Sequence, residues 1–139
     1  MKMQINSYLT FNGNCREAMT FYQECLGGEL TFQTIGESPF SDKMPVQMKE
    51  YILHSTLTSK DFVLMGSDMA NETGLIKGNA FSLILNCGSD EEIKTIFEKL
   101  SEGGTVKNNI ETTFWGALFG DFTDKFENNW ILNFNRNSN

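Results

Sequence analysis

Two stretches 75 residues apart carry the same pattern of cap, apolar stripe and stop, and this internal repeat restricts the fold more than any other feature. In "NCREAMTFYQECLGGEL", Asn14 stands where a helix N-cap is wanted and Glu17 follows three residues later, as in a capping box. Ala18, Phe21, Tyr22 and Cys25 recur at helical spacing, and Gly27-Gly28 ends the run. In "SDEEIKTIFEKLSEGGTV", Ser89 and Glu92 take the cap positions, Ile93, Ile96, Phe97 and Leu100 form the stripe, and Gly103-Gly104 ends it. A short strand-like run precedes each helix, "NSYLTF" and then "AFSLILNC". Three more β-rich runs follow each: "ELTFQTI", "EYILHSTLT" and "DFVLMGS", then "TVKNNI", "FWGALFGDFT" and "NWILNFN". Each half therefore reads β-α-β-β-β. The loop "GESPFSDKMPVQM", with both prolines, is the main difference and reads as a mobile surface segment. "DMANETGLIKGN" reads as the linker, and the terminal "RNSN" is expected to fray.

One such half cannot bury both its sheet and its helix. The expected fold is α+β: a single domain of two βαβββ repeats, about 1–70 and 78–139, forming a curved mixed eight-stranded sheet with the helices on its outer face. A chain of 139 residues supports this, since chains near that size bury roughly two-thirds of the surface their unfolded form exposes.

Charge excludes some partners. With 11 Lys+Arg against 18 Asp+Glu and a net charge of −7, the chain lacks the basic face that duplex DNA or an anionic membrane requires. No run approaches the ~18 apolar residues of a membrane span, and no basic-then-apolar leader opens the chain. A soluble cytoplasmic protein is expected. Cys15, Cys25 and Cys87 form no CxxC pair and are odd in number, which indicates neither a disulfide framework nor a zinc ribbon. Cys15 at a helix start is either a thiol of lowered pKa or simply a small helix-start residue.

The residues "YLTFNGNCREAMTFYQECLGGEL", "LHSTL" and "TFWGALFGDFTDKFENNWILNF", taken with the repeat, cover nearly the whole chain. Together they resemble the glyoxalase/bleomycin-resistance, or vicinal oxygen chelate, superfamily, and within it the PhnB-like branch also labelled demethylubiquinone methyltransferase-like. No glycine-rich turn between strand and helix supports a methyltransferase; the paired glycines end helices. The resemblance implies a homodimer and, in metal-using members, one divalent ion held by the first and last strands of each repeat. Carried over, those positions are Asn6 or Ser7, Leu64 or Met65, Ser82, and Ile131 or Asn133. None is His, Asp or Glu, so no metal and no cofactor is expected. A divalent metal would have to be built from His54 and carboxylates elsewhere.

Strand alternation puts Ile52, His54 and Thr56 on one face and Leu53, Ser55 and Leu57 on the other, packing under the helices. His54, the single histidine, is then a ligand hydrogen-bonding group or general base, or else a structural histidine. Tyr8 and Ser82, on the opening strands, are candidates to present hydroxyls to the cavity; the alternative for Ser82 is a buried hydroxyl bonded to backbone. Trp130, Leu132 and Phe134 read as core, with Ile131 and Asn133 on the opposite face. Trp115 and Phe119, along a glycine-containing strand, are candidate cavity-lining aromatics. Met44 and Met48 are candidates for a lid. Asp121, Asp124 and Glu127 read as a turn, with Asp124 accepting backbone N–H groups and either a different turn geometry at Glu127 or an Asn of "ENN" in the left-handed region. The ligand-binding set is therefore Tyr8, His54, Ser82, Trp115, Phe119 and Asn133. The expected function is metal-independent binding of a small, partly aromatic or apolar molecule. The alternatives are a lyase, isomerase or dioxygenase of the same fold, and a structural or regulatory dimer.

Overall fold

Each repeat folds as β-α-β-β-β, and the eight strands among the described residues fall into two four-stranded mixed sheets of identical topology. The computed structural model describes residues 3–39, 41–69 and 74–136. The expected fraying at 137–139 and the middle of the expected linker, residues 70–73, lie outside them, as does Phe40 of the proline-containing loop. Contacts divide the chain into two units, Met1–Ile76 and Lys77–Asn139. Among the described residues no helix is long and apolar enough to cross a membrane.

The first unit contains β1 (Ser7–Thr10), α1 (Cys15–Leu26), β2 (Glu29–Thr34), β3 (Ile52–Thr58) and β4 (Val63–Ser67), with sheet order β1-β4-β3-β2. The second contains β5 (Leu83–Asn86), α2 (Asp90–Ser101), β6 (Thr105–Thr112), β7 (Ala117–Thr123) and β8 (Asn129–Asn135), in the order β5-β8-β7-β6. In each, the first strand runs parallel to the last and the other pairs are antiparallel. The proline-containing loop holds three short 3-10 turns, at Ile35–Glu37, Ser41–Lys43 and Val46–Met48.

Each helix covers one face of its sheet. The stripe of α1 is Cys15, Ala18, Met19 and Tyr22, all fully buried; Phe21 and Cys25, expected on it, are only half-buried. The stripe of α2 is Ile93, Phe97 and Leu100, with Ile96 half-buried at its edge. Phe97 meets Phe122 of β7 edge to face, with ring centroids 5.0 Å apart. Burying a large apolar side chain contributes roughly 1.5–3 kcal/mol, so these stripes hold each helix to its sheet. A glycine permits each close approach. A Cβ at Gly66 would come within 3.0 Å of the Met19 sulfur, and one at Gly120 within 2.9 Å of the Phe97 ring.

Helix α1 starts differently from expectation. Asn14 makes no side-chain cap bond. Instead Asp68, read from the sequence as the first linker residue, is 4% exposed, and its Oδ1 accepts from the backbone N–H groups of Gly13 (2.8 Å) and Cys15 (2.9 Å). Helix α2 follows the sequence reading: Ser89 Oγ accepts from Glu92 N–H at 3.0 Å, and the Glu92 carboxylate accepts from Gly88 N–H at 2.7 Å.

Candidate functional site

The sheet face turned away from the helix carries Tyr8 and His54 in the first unit and Phe119 and Asn133 in the second. In the first, Tyr8, Met65 and Thr56 are cross-strand partners in one row, and Gln33 pairs with His54 in the next. The Tyr8 and His54 rings lie 6.0 Å apart, tilted by 30°, and Tyr8 is 54% exposed. His54 Nε2 and Thr56 Oγ1 share a hydrogen bond of 3.1 Å. On the opposite face Ser55 and Leu57 are buried; the Ser55 hydroxyl donates to the Gly66 carbonyl and lies 3.5 Å from the Cys15 sulfur. Alternation thus places His54 and Thr56 as expected. It fails at Leu53, which is half-buried while Ile52 is fully buried. The β2–β3 register slips between Gln33 and Thr34, whose partners are His54 and Ile52, so Leu53 is the extra residue of a bulge.

In the second unit, Phe119 pairs with Asn133, Asp121 with Ile131, Ile131 with Ile84 and Asn133 with Asn86. Cross-strand partners project on one side, and Glu111 pairs with Phe119 and Asn108 with Asp121, so this face mixes an aromatic ring, two Ile side chains, three amides and two carboxylates. Asn133 Nδ2 donates to Asn86 Oδ1 at 3.2 Å, and Asn108 Nδ2 donates to Asp121 Oδ1 at 2.8 Å. The core reading of Trp130 and Leu132 matches their burial. Ser82 is exposed just before β5, so the buried-hydroxyl alternative does not apply to it.

Trp115 is not on a strand. Thr113 N–H donates to the Ala117 carbonyl at 2.7 Å, and Gly116 N–H to the Thr113 carbonyl at 3.1 Å, which closes a turn ahead of β7. At its tip Phe114 (97% exposed) and Trp115 (54%) pack edge to face with centroids 4.8 Å apart. Of the two aromatics grouped by sequence, only Phe119 lies on the sheet face. Met44 and Met48 are half-buried in the proline-containing loop.

The turn at Asp124 is a structural device. Asp124 is 2% exposed; its Oδ1 accepts from Phe126 and Asn128 N–H, and its Oδ2 from Trp130 Nε1–H at 2.8 Å. Glu127, not an Asn, takes the left-handed conformation, with φ 70°. Cys87 is buried, and burial, aided by the nearby Glu92 charge, pushes its thiol up to about 11, which keeps it protonated and unreactive at neutral pH. Cys15 is fully buried, and no disulfide is present among the described residues.

Residues 4–132 match the Glyoxalase/Bleomycin resistance protein/Dioxygenase superfamily. The chain belongs to that superfamily. Protein YjdN of Escherichia coli (strain K12) is 34% identical over 140 residues, covering 94% of this chain and 95% of its own. Among solved structures, protein PA1353 from Pseudomonas aeruginosa superposes with TM-score 0.82 at 40% identity, covering 96% of this chain and 98% of its own. A protein from Bacillus cereus described as a putative 3-demethylubiquinone-9 3-methyltransferase, PhnB protein, has TM-score 0.74 at 25% identity, covering 95% and 99%.

Metal-using members of the superfamily place their ligands on the first and last strands. Here Ser7 pairs with the buried Leu64, whereas Met65 projects beside Tyr8 on the helix-averted face. The positions available for ligands are thus Asn6, Met65, Ser82 and Ile131 or Asn133. Neutral amide, hydroxyl, thioether and hydrocarbon groups are a poor donor set for a divalent cation, which favours imidazole and carboxylate. Among the described residues no three or more His, Cys, Asp or Glu side chains are grouped so as to hold a metal ion.

Proposed function

We propose that this superfamily member binds a small, partly aromatic or apolar molecule on its helix-averted sheet faces without a metal ion. The observation that carries the reading is the make-up of the first unit's face: Tyr8, His54, Thr56, Met65 and Gln33, where a half-exposed aromatic ring adjoins hydrogen-bonding groups. Rings and a thioether supply dispersion and stacking, and a few polar atoms fix orientation, which is how small-molecule sites are commonly built. Among the described residues His54 bonds to a threonine hydroxyl, and no carboxylate is hydrogen-bonded to it as the orienting partner of a general base would be. Its proposed role is therefore to hydrogen-bond the ligand, with Phe119 and Asn133 contributing the same mix in the second unit.

A thermal-shift screen of small aromatic and apolar molecules is the test, because a ligand that prefers the folded state raises the melting temperature. His54→Ala is expected to weaken a hit by about three- to tenfold, the worth of one hydrogen bond. Metal analysis of protein purified without an affinity tag should find no stoichiometric Fe, Mn, Ni or Zn; finding one would replace this reading with the enzymatic one. The proposal includes a homodimer, supported by the large apolar side chains that Phe81, Ile84 and Phe114 expose, and light scattering after gel filtration checks it.

A further inference from the structure

We infer that Asp68 is a positioning residue for His54. Three interactions meet at its buried carboxylate. Oδ1 accepts from Gly13 and Cys15 N–H, in the junction between β1, which carries Tyr8, and α1. Oδ2 accepts from Ile52 N–H at 2.8 Å, and the Asp68 N–H donates to the Ile52 carbonyl at 2.8 Å. Asp68 and Ile52 are thus joined in both directions, two residues before His54.

The anchor matters because the ladder toward β4 ends beside His54 and the ladder toward β2 is interrupted there. Toward β2 the Leu53 bulge separates His54↔Gln33 from Ile52↔Thr34, where the pairing resumes. Toward β4 the ladder runs only from Thr58↔Val63 to Ser55↔Gly66. Beyond it the Ser67 hydroxyl donates to the Leu53 carbonyl, and then comes the Asp68–Ile52 pair. On its β4 side the backbone at His54 is therefore held between Ser55 and the carboxylate clamp. The same carboxylate fixes the chain that leaves β1, so it sets the Tyr8 ring and the His54 ring at their 6.0 Å spacing. Tyr51 extends the arrangement: a Cβ at Gly13 would lie 3.1 Å from its hydroxyl, and Gly13 has φ 96°.

This inference rests on the proposed site but is tested without a ligand, so either can fail alone. The chain has one histidine, which makes its ring protons the only His signals in a proton NMR spectrum. Tyr8→Leu removes the neighbouring ring and gives the His54 shifts that accompany its loss. Asp68→Asn must turn an NH2 group toward at least one backbone N–H, and it is expected to move the His54 signals toward the Tyr8→Leu values and broaden them. Asp124→Asn, at the similarly buried carboxylate of the second unit, should lower the melting temperature and leave the His54 signals in place. Wild-type His54 signals in folded Asp68→Asn, or equal movement in Asp124→Asn, would overturn the inference. Should Asp68→Asn fail to fold, Gly13→Ala, which strains one of the three bonds, carries the same measurement with the same two outcomes.

Discussion

Asp68 and Arg136 stand at the same place in the two repeats, one residue past the last strand and against the first turn of that unit's helix. In the first unit the residue is a buried carboxylate that accepts backbone N–H groups at the start of α1. In the second it is an exposed guanidinium, bonded at 3.0 and 3.1 Å to the two carboxylate oxygens of Asp90. The difference follows from what each helix supplies for itself. Helix α2 has Ser89 bonding Glu92 N–H and three acidic residues in its first turn, so its orphan N–H groups and dipole are served locally. Helix α1 has Asn14 without a cap bond, so the anion must come from 54 positions along the chain. Equivalent topology therefore does not imply equivalent energetics: one junction is built into the core, the other lies on the surface.

The largest expected effect is at the buried carboxylates. Asp68→Ala leaves three backbone N–H groups without their acceptor, two of them buried, and should destabilise the protein by about 3 kcal/mol at a penalty of ~1–3 kcal/mol per buried group left unpaired. Asp124→Ala, which removes the acceptor of Trp130 Nε1–H and of two backbone N–H groups, should cost about the same. Urea midpoints at unchanged slope measure both. A cost for Asp68→Ala no larger than that of Arg136→Gln would erase the contrast between the two junctions.

Next comes a paired test of the caps. Ser89→Ala is expected to cost about 1 kcal/mol, the usual worth of a capping hydroxyl. Asn14→Ala should cost close to nothing, although the two positions match in sequence. Equal losses in the two variants would mean that Asn14 caps α1 in solution.

The sequence carried the repeat, the strand order of chemistry-bearing residues and the α2 cap because each rests on local spacing. Thr56 and His54 could be assigned to a face by alternation, and the register agrees. Leu53 could not, because a bulge is a property of two strands and only one is visible at a time. Asp68 was hidden for a similar reason: two of its three partners are 53 and 55 residues away, and in a run of small and polar residues it reads as linker. Trp115 was misplaced because "FWGALFG" has strand-like composition throughout, whereas the Thr113–Ala117 hydrogen bonds decide where the turn ends. Neither the ligand nor the arrangement that would enclose it is encoded in any local pattern.

A smaller effect of opposite sign is expected at Glu127. Among the described residues it is the non-glycine with positive φ, and an L side chain there costs roughly 1 kcal/mol. Glu127→Gly should stabilise the protein by about 0.5 kcal/mol once the added freedom of the unfolded glycine is counted. A destabilised variant would show that the Glu127 side chain contributes an interaction larger than the strain it tolerates.

The smallest effect is at Arg136, where pH is more informative than stability. Its hydrogen bond to Asp90 holds that carboxyl below the usual carboxylate range, and the charges of Arg136 and Lys94 add to this. The folded group thus binds its proton less readily than the unfolded chain does. The stability it contributes is present above the ordinary carboxylate value, near pH 4, and is lost as pH falls through the lowered folded value. Exposed pairs of this kind are screened by salt. Arg136→Gln should therefore leave the neutral-pH melting temperature within error and move the Asp90 carboxyl titration, followed by carbon NMR, back up toward the ordinary value. The same titration of Asp90 in Asp68→Asn should be unchanged, because the carboxylate of the first unit acts on backbone N–H groups of α1 and not on this surface pair.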